Sequence, residues 1–115
     1  MARVVALLPD LLFGSKVQGM LAAAGHDVAV VASPEAVLEQ IEDSDLLVVD
    51  LCEDAGRRIE LLSAIAPKTL AFYLHTDVET RTRALDAGMD LVVPRSRMAR
   101  EGAALVDGLL AGAQA

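Results

Sequence analysis

The chain has 115 residues and carries 10 Lys and Arg against 17 Asp and Glu, for a net charge of −7. This length predicts one domain, and a hydrophobic content of 54% excludes a disordered chain. The single cysteine, Cys52, excludes a disulfide framework, so a cytoplasmic location is expected. The acidic balance argues against nucleic acid or anionic membrane as the partner, and no apolar run is long enough to span a bilayer.

Short apolar runs alternate with amphipathic segments along the chain. The runs that predict strands are Val4–Leu8, Asp27–Val31, Leu46–Leu51, Thr69–Leu74 and Leu91–Val93. The segments that predict helices are Leu11–Ala24, the stretch from Ser33 to Ile41, Ala55–Ala66, Asp77–Ala87 and Met98–Leu110.

The first predicted helix has its apolar residues at three- and four-residue spacing. These residues are Leu12, Val17, Met20, Leu21 and Ala24. Such a stripe predicts the face that packs against the sheet. Asp10 is expected to cap the helix at its start and Gly25 to end it.

Five strand–helix units with short connections predict a parallel sheet with helices on both faces. We expect a single flavodoxin-like (βα)5 domain of the α/β class over residues 1–115, with strand order 2-1-3-4-5. Functional groups in such sheets lie beyond the carboxyl ends of the strands. Asp10 and Asp50 follow strands 1 and 3, so two carboxylates could share one pocket for cation binding or attack on a phosphoryl donor. The structural alternative is that Asp10 caps a helix and Asp50 is solvated.

Three segments resemble the receiver domain of response regulators, the fold of the chemotaxis regulator. Asp45–Asp50 resembles the third-strand motif and places Asp50 at the phosphoacceptor position. Ala84–Asp90 resembles the stretch before the fifth strand, and Met20–His26 resembles the end of the first helix. Their gap-free spacing extends the resemblance over nearly the whole chain. It implies a receiver fold and a role in two-component signal transduction or a phosphorelay.

The acidic pocket departs from the receiver pattern. Receivers place two adjacent acids after the first strand to hold magnesium, and the matching positions here are Leu8 and Pro9, followed only by Asp10. Mg²⁺ requires several oxygen ligands in octahedral geometry, so we expect weak or absent Mg²⁺ binding and no other cofactor. Without the acid pair, little neutralises the charge of an incoming phosphoryl donor.

Three further positions of the receiver pattern are changed. Tyr73 matches the switch Ser or Thr of strand 4, and Val92 matches the aromatic residue of strand 5. Arg95, followed by Ser96, matches the lysine that precedes a proline. Arg95 keeps the positive charge on a wider head, and an Arg95–Asp50 ion pair could occupy the place of a phosphoryl group. These changes predict a pseudo-receiver that is not an enzyme. A genuine single-domain regulator phosphorylated on Asp50 is the alternative.

Two residues favour other kinds of site. His75 follows strand 4 and could ligate a metal with Asp10 and Asp50, as in a small-ligand or metal-binding flavodoxin-like domain. A hydrogen-bonded loop histidine is the structural alternative. Cys52 lies two residues after Asp50 and could be redox-active if exposed, whereas a buried structural thiol is the expected role.

The charges are unevenly distributed along the chain. Residues 27–60 have a net charge of −8, and residues 81–100 have a net charge of +3. All the bases of the second stretch are arginines, the basic residue type that is favoured at interfaces. They are Arg81, Arg83, Arg95, Arg97 and Arg100. In receivers, the face formed by helix 4, strand 5 and helix 5 commonly mediates dimerisation or docking. The resemblance therefore implies that these arginines and Val92 contact a protein partner or a second copy.

Two alternatives to that interface remain. One is that the arginines form a solvated surface, and the other is that oppositely charged faces of two copies associate head-to-tail. The chain ends one helix after the fifth strand, so we expect a stand-alone module without an output domain. Such a module would pass on its signal by protein–protein contact.

Overall fold

The computed structural model describes residues 2–65 and 67–112, which form five strands and five α-helices. The strands are β1 (Arg3–Leu7), β2 (Asp27–Val31), β3 (Leu46–Asp50), β4 (Lys68–Tyr73) and β5 (Leu91–Pro94). The helices are α1 (Leu11–Ala23), α2 (Pro34–Gln40), α3 (Ala55–Leu62), α4 (Val78–Asp86) and α5 (Arg95–Leu110), with a 3-10 turn, Ile41–Asp43, after α2.

The strands form one parallel sheet in the order β2-β1-β3-β4-β5, which confirms the predicted flavodoxin-like fold. The central strand is β3, and all five of its residues are buried. The register pairs Leu7 with Val49 and Asp50 with Phe72. The carboxyl ends of β1, β3 and β4 therefore meet at one edge of the sheet.

Each face of the sheet has its own apolar core, because successive residues of a buried strand point to opposite faces. On one face, Val48 and Phe72 pack with residues of α1 and α5 such as Leu21 and Met98. On the other face, β-strand residues pack with α2, α3 and α4, whose core members include Val37, Leu62 and Ala84. Helices on both faces of a parallel sheet are the arrangement that the alternating pattern predicts.

The predicted stripe of α1 is only partly correct. Val17 and Leu21 are fully buried, whereas Leu12 is 87% exposed and Ala24 is also exposed. Five residues separate Leu12 from Val17, which turns the two side chains about 140° apart around a helix. The face of α1 against the sheet therefore begins at Gly14, and Leu12 lies in solvent.

Two predicted helix boundaries differ from the structure by three or more residues. The third helix ends at Leu62, and the predicted last residue, Ala66, lies outside the described residues. The fifth helix begins at Arg95, three residues before the predicted Met98, because extended Pro94 leads directly into it. Its polar first turn shows no apolar periodicity, so the hydrophobic pattern does not reveal that turn. Among the described residues, no helix is long and apolar enough to cross a membrane.

Candidate functional site

The carboxyl edge of the sheet brings together most of the residues predicted to form the pocket. Asp10 follows β1, Asp50 is the last residue of β3, and Tyr73 is the last residue of β4. Arg95 follows β5 directly. Because parallel strands end at the same edge, these four residues lie around one rim.

Asp50 is held firmly at the end of β3. The residue is only 7% exposed, and its Oδ1 accepts a hydrogen bond from the backbone N–H of Cys52 at 2.8 Å. Its main-chain carbonyl oxygen accepts a second bond from Nη1 of Arg58 at 2.7 Å. Asp50 is therefore a buried acid at the rim, in contrast to the solvated strand end that was its structural alternative.

Arg58 is a site residue that the sequence analysis did not identify. It lies on α3 and is 6% exposed. Its Nε is buried and has no hydrogen-bond partner among the described residues. The sequence does contain an indication that Arg58 is buried, because Arg58 and Leu62 are four residues apart and share the inner face of α3. Because Arg57 directly precedes Arg58, the two arginines together have the pattern of an exposed basic pair.

The thiol of Cys52 is not activated. Burial, followed by the negative charge of Asp50 and a hydrogen bond to it, raises the pKa of Cys52 to about 12. The thiolate is the reactive form of cysteine, and it is not formed at neutral pH with such a pKa. Cys52 is partly exposed, so the thiol is less buried than predicted but is as unreactive as a structural thiol.

Both carboxylate oxygens of Asp10 are engaged. Oδ1 accepts hydrogen bonds from the backbone N–H groups of Leu12 and Phe13, each at 3.0 Å, which caps α1 as predicted. Oδ2 accepts a hydrogen bond from Nη2 of Arg95 at 3.3 Å. The bond from Phe13, followed by the contact with Arg95, lowers the pKa of Asp10. The capping role is thus the one that the structure shows.

The predicted Arg95–Asp50 ion pair is not formed, since no ion pair within 4.0 Å joins them in residues 2–65 and 67–112. Arg95 instead contacts Asp10, and its guanidinium carbon lies 4.2 Å from the centre of the Phe13 ring. A cation over an aromatic face is attracted by the negative charge density of the ring. As the first residue of α5, Arg95 is held toward the start of α1 by these two contacts.

Leu8 and Pro9 offer no ligand for a cation. Leu8 is 3% exposed and belongs to the core between the sheet, α1 and α5. The helix packs so closely there that a Cβ atom on Gly14 would lie 3.2 Å from the carbonyl oxygen of Leu8. Because Asp10 is also engaged by α1 and Arg95, the residues at this edge do not fit the octahedral oxygen shell of Mg²⁺.

Tyr73 and Val92 both lie in the core. They are 6% and 8% exposed and pack in the cluster beneath α3 and α4, with Ala84 among their neighbours. Tyr73 therefore points into the core and not into the rim pocket. Val92, which was predicted as part of an interface, lies beneath that surface.

His75 is exposed in the loop after β4. It lines a groove of about 290 Å³ together with Phe13, Leu74, Arg95, Ser96 and Ala99. Across residues 2–65 and 67–112, no three His, Cys, Asp or Glu side chains are grouped so that they could hold a metal ion. The predicted set of His75, Asp10 and Asp50 is thus not assembled.

The predicted arginine surface divides into two parts. On α5, Nε of Arg97 lies 3.5 Å and Nη2 of Arg100 lies 3.9 Å from the carboxylate of Glu101. On α4, Arg81 and Arg83 are exposed and have no carboxylate within 4.0 Å among the described residues. Among the described residues, Arg81 and Arg83 are therefore the arginines of this surface that no close ion pair engages.

Comparison with known proteins identifies the fold. No family model matches the sequence, and no curated protein matches it significantly. Among solved structures, the receiver domain of the TMAO respiratory system response regulator TorR is 21% identical, with a TM-score of 0.87 over 99% of this chain and 100% of that one. The receiver domain of the Francisella response regulator 1452 is 17% identical, with a TM-score of 0.84 over 99% and 100%.

A third similar structure is an atypical orphan response regulator protein, described with a phosphorylation-independent regulatory mechanism. It is 20% identical, with a TM-score of 0.77 over 95% of each chain. At these identities the comparisons show the fold alone. The chain has the fold of response-regulator receiver domains.

Proposed function

We propose that this chain is a pseudo-receiver, a signalling module that acts by protein–protein contact without Mg²⁺-dependent phosphorylation of Asp50. The observation that carries the proposal is the state of Asp10, the one acid left after β1. Its Oδ1 caps α1 and its Oδ2 contacts Arg95. A carboxylate engaged in this way, beside aliphatic Leu8 and Pro9, is a poor ligand for a divalent cation.

The chemistry of phosphoryl transfer supports the proposal. Transfer depends mainly on positioning the donor and neutralising its charge. The cation that could replace a metal, Arg95, is turned toward Asp10 and Phe13. Asp50 keeps the position of an acceptor, but Arg95 is engaged by Asp10 and Arg58 donates to the main-chain carbonyl of Asp50, so neither cation is directed at an incoming phosphoryl group.

The similar structures are consistent with both kinds of receiver. The atypical orphan regulator is described with a phosphorylation-independent mechanism, and the proposal extends that behaviour to this chain. We further propose that the chain has no catalytic turnover and needs no cofactor. We place it in the cytoplasm as part of a two-component pathway.

The proposed contact surface is the face formed by α4, β5 and α5. It presents Arg81, Arg83, Arg97 and Arg100 to solvent above buried Val92. Arginine combines a planar, permanently charged head with several donors, which suits it to protein interfaces. An acidic protein partner or a second copy of the chain would complement this face.

Intact-mass measurement after incubation with acetyl phosphate and Mg²⁺ tests the proposal. We expect no added phosphoryl group, because the rim lacks a cation-binding acid pair. The Asp50→Asn variant is the matched control, and a receiver known to react under the same conditions verifies the reagents. A mass gain of one phosphoryl group in the wild type that is absent in Asp50→Asn would show a genuine phosphorylated regulator.

A further inference from the structure

An apolar groove lies on the side of the molecule away from α1 and α5. It has a volume of about 470 Å³ and is lined by Leu38, Ile41, Glu42, Ser44, Ile65 and Pro67. Leu38 on α2 is 45% exposed, so the groove presents a large aliphatic side chain to solvent. Apolar grooves of this kind are preferred docking sites for one face of a helix.

The groove is lined by one acid, Glu42, and the exposed acids Glu39 and Asp43 lie three positions before it and one position after it in the chain. We call these three acids the rim of the groove. Within the described residues, none of these three carboxylates has a basic group within 4.0 Å. The groove therefore requires an occupant that combines aliphatic side chains with a positive charge.

Helix α4 presents that combination on its outer face. Val78 is 64% exposed and Leu85 is 40% exposed, and Arg81 lies between them. Separations of three and four residues place all three on one face of the helix. We call Val78, Arg81 and Leu85 the α4 stripe. Among the described residues Arg81 has no carboxylate within 4.0 Å, so its charge is available to a partner.

We propose that the α4 stripe of one copy docks in the acidic groove of a second copy. The aliphatic side chains would meet Leu38 and Ile41, and Arg81 would meet the carboxylates of the rim. The α4 helix cannot reach the groove of its own chain, because α3 lies in contact with both α2 and α4.

The contact is head-to-tail, because the stripe and the groove are different surfaces. Each docked pair leaves one groove and one stripe unoccupied, so association continues into rings or open chains. The inference rests on the proposed function only in using α4 as a contact surface. It holds equally if Asp50 proves to be phosphorylated.

Analytical ultracentrifugation of the full chain tests this contact. We expect the average mass of the wild type to rise from micromolar to millimolar concentration and to fall with added salt. Leu85→Asp removes the stripe, Leu38→Asp removes the groove, and each variant alone should associate at least about tenfold more weakly. The matched control is Leu12→Asp, which makes the same change on exposed α1 and should leave the association constant unchanged.

Mixing the two variants gives the decisive result. The intact groove of Leu85→Asp accepts the intact stripe of Leu38→Asp, and the two remaining surfaces carry opposed acids. The mixture should therefore form a 1:1 dimer that does not grow further. A contact between two α4 helices would predict no dimer in this mixture and normal association of Leu38→Asp, and either result would overturn the proposal.

Exchanging the charges of Arg81 and Glu42 tests whether a loss of association reflects a loss of folding. Arg81→Glu and Glu42→Arg should each weaken association, and the chain that carries both changes should associate again. A wild type that stays monomeric at every concentration contradicts the inference without bearing on phosphorylation. The mass measurement with acetyl phosphate tests that separate question, so failure of either proposal is recognised on its own.

Discussion

Arg58 places a permanent positive charge under the end of β3. Its guanidinium cannot lose its proton in a protein, and burial of a charge is costly unless partners compensate it. The Nη1 bond to the carbonyl of Asp50 is one such partner, while Nε has none among the described residues. The negative charge of Asp50 raises the pKa of Cys52 and the positive charge of Arg58 lowers it, so both charges act on the β3–α3 connection. The β3–α3 connection is therefore stabilised by electrostatics as well as by packing.

Replacement of Arg58 by alanine should destabilise the fold. The change leaves the buried Asp50 carbonyl without its donor, and we expect the free energy of unfolding to fall by about 2 kcal/mol. Arg57→Ala is the matched control on the next residue. Arg57 is exposed and contacts Glu35, so its loss should cost less than about 1 kcal/mol. Urea denaturation measures both, and equal effects would show that Arg58 is not structurally important.

Asp10 should make stability depend on pH in the acid range. Its folded-state pKa is lowered, so its charge stabilises the fold above its ordinary pKa of 3.8 and this contribution is lost as the pH falls through the lower folded value. Asp10→Asn keeps an N-cap of similar quality but has no charge. We expect the variant to be less stable than the wild type at neutral pH and to match it in strong acid. Thermal denaturation against pH measures the difference, and a pH-independent difference would contradict this assignment.

At the scale of the elements, replacing the glycine within α1 and the glycine after its end should change stability in opposite directions. Gly19 lies within α1, where a Cβ atom would meet nothing within 4 Å. Gly25 follows the helix with a φ of +93°, in the left-handed region that favours glycine. Gly19→Ala should raise the free energy of unfolding by about 1 kcal/mol, whereas Gly25→Ala should lower it by about 1 kcal/mol. Urea denaturation distinguishes the two, and a loss of stability in Gly19→Ala would refute the prediction for α1.

The α5 helix is fixed to the rest of the molecule along its length. Arg95 contacts Asp10 at its start, and Nζ of Lys68 donates to the carbonyl of Leu109 at 2.7 Å near its end. Between them, Oδ1 of Asp107 lies 2.7 Å from Nε2 of His26. Helix ends leave backbone carbonyls without partners, and Lys68 supplies one. A partner that docks on α5 therefore meets a pre-organised surface, which lowers the entropy lost on binding.

For the whole molecule, the net charge of −7 conceals two different surfaces. The acidic residues around the groove of α2 and the exposed arginines of α4 lie on different elements. Opposed surfaces of this kind give an association that depends on ionic strength and orientation more than on buried area. Total charge, which the sequence makes easy to count, contains none of this information.

The fold was largely predictable from sequence, because short apolar runs between amphipathic segments allow few arrangements other than a parallel sheet. Asp10 was also correctly predicted as the cap of α1, since capping is a local interaction. The partners of Arg95 were not predictable, because Asp10 is 85 residues away in the chain. Arg58 was missed for a related reason: adjacent residues on a helix point in different directions, and composition does not show which one faces inward.

The burial of Leu8 restricts the residues that this edge of the sheet can carry. An acid introduced at position 8 would enter a core where the native side chain is 3% exposed, and burial of an unpaired carboxylate is strongly unfavourable. An acid at position 9 would stand beside Asp10, which already serves α1 and Arg95. Building a cation-binding edge at this position therefore requires several coordinated substitutions, each unfavourable alone. The packing of the first helix against the sheet thus limits which side chains this edge can accept.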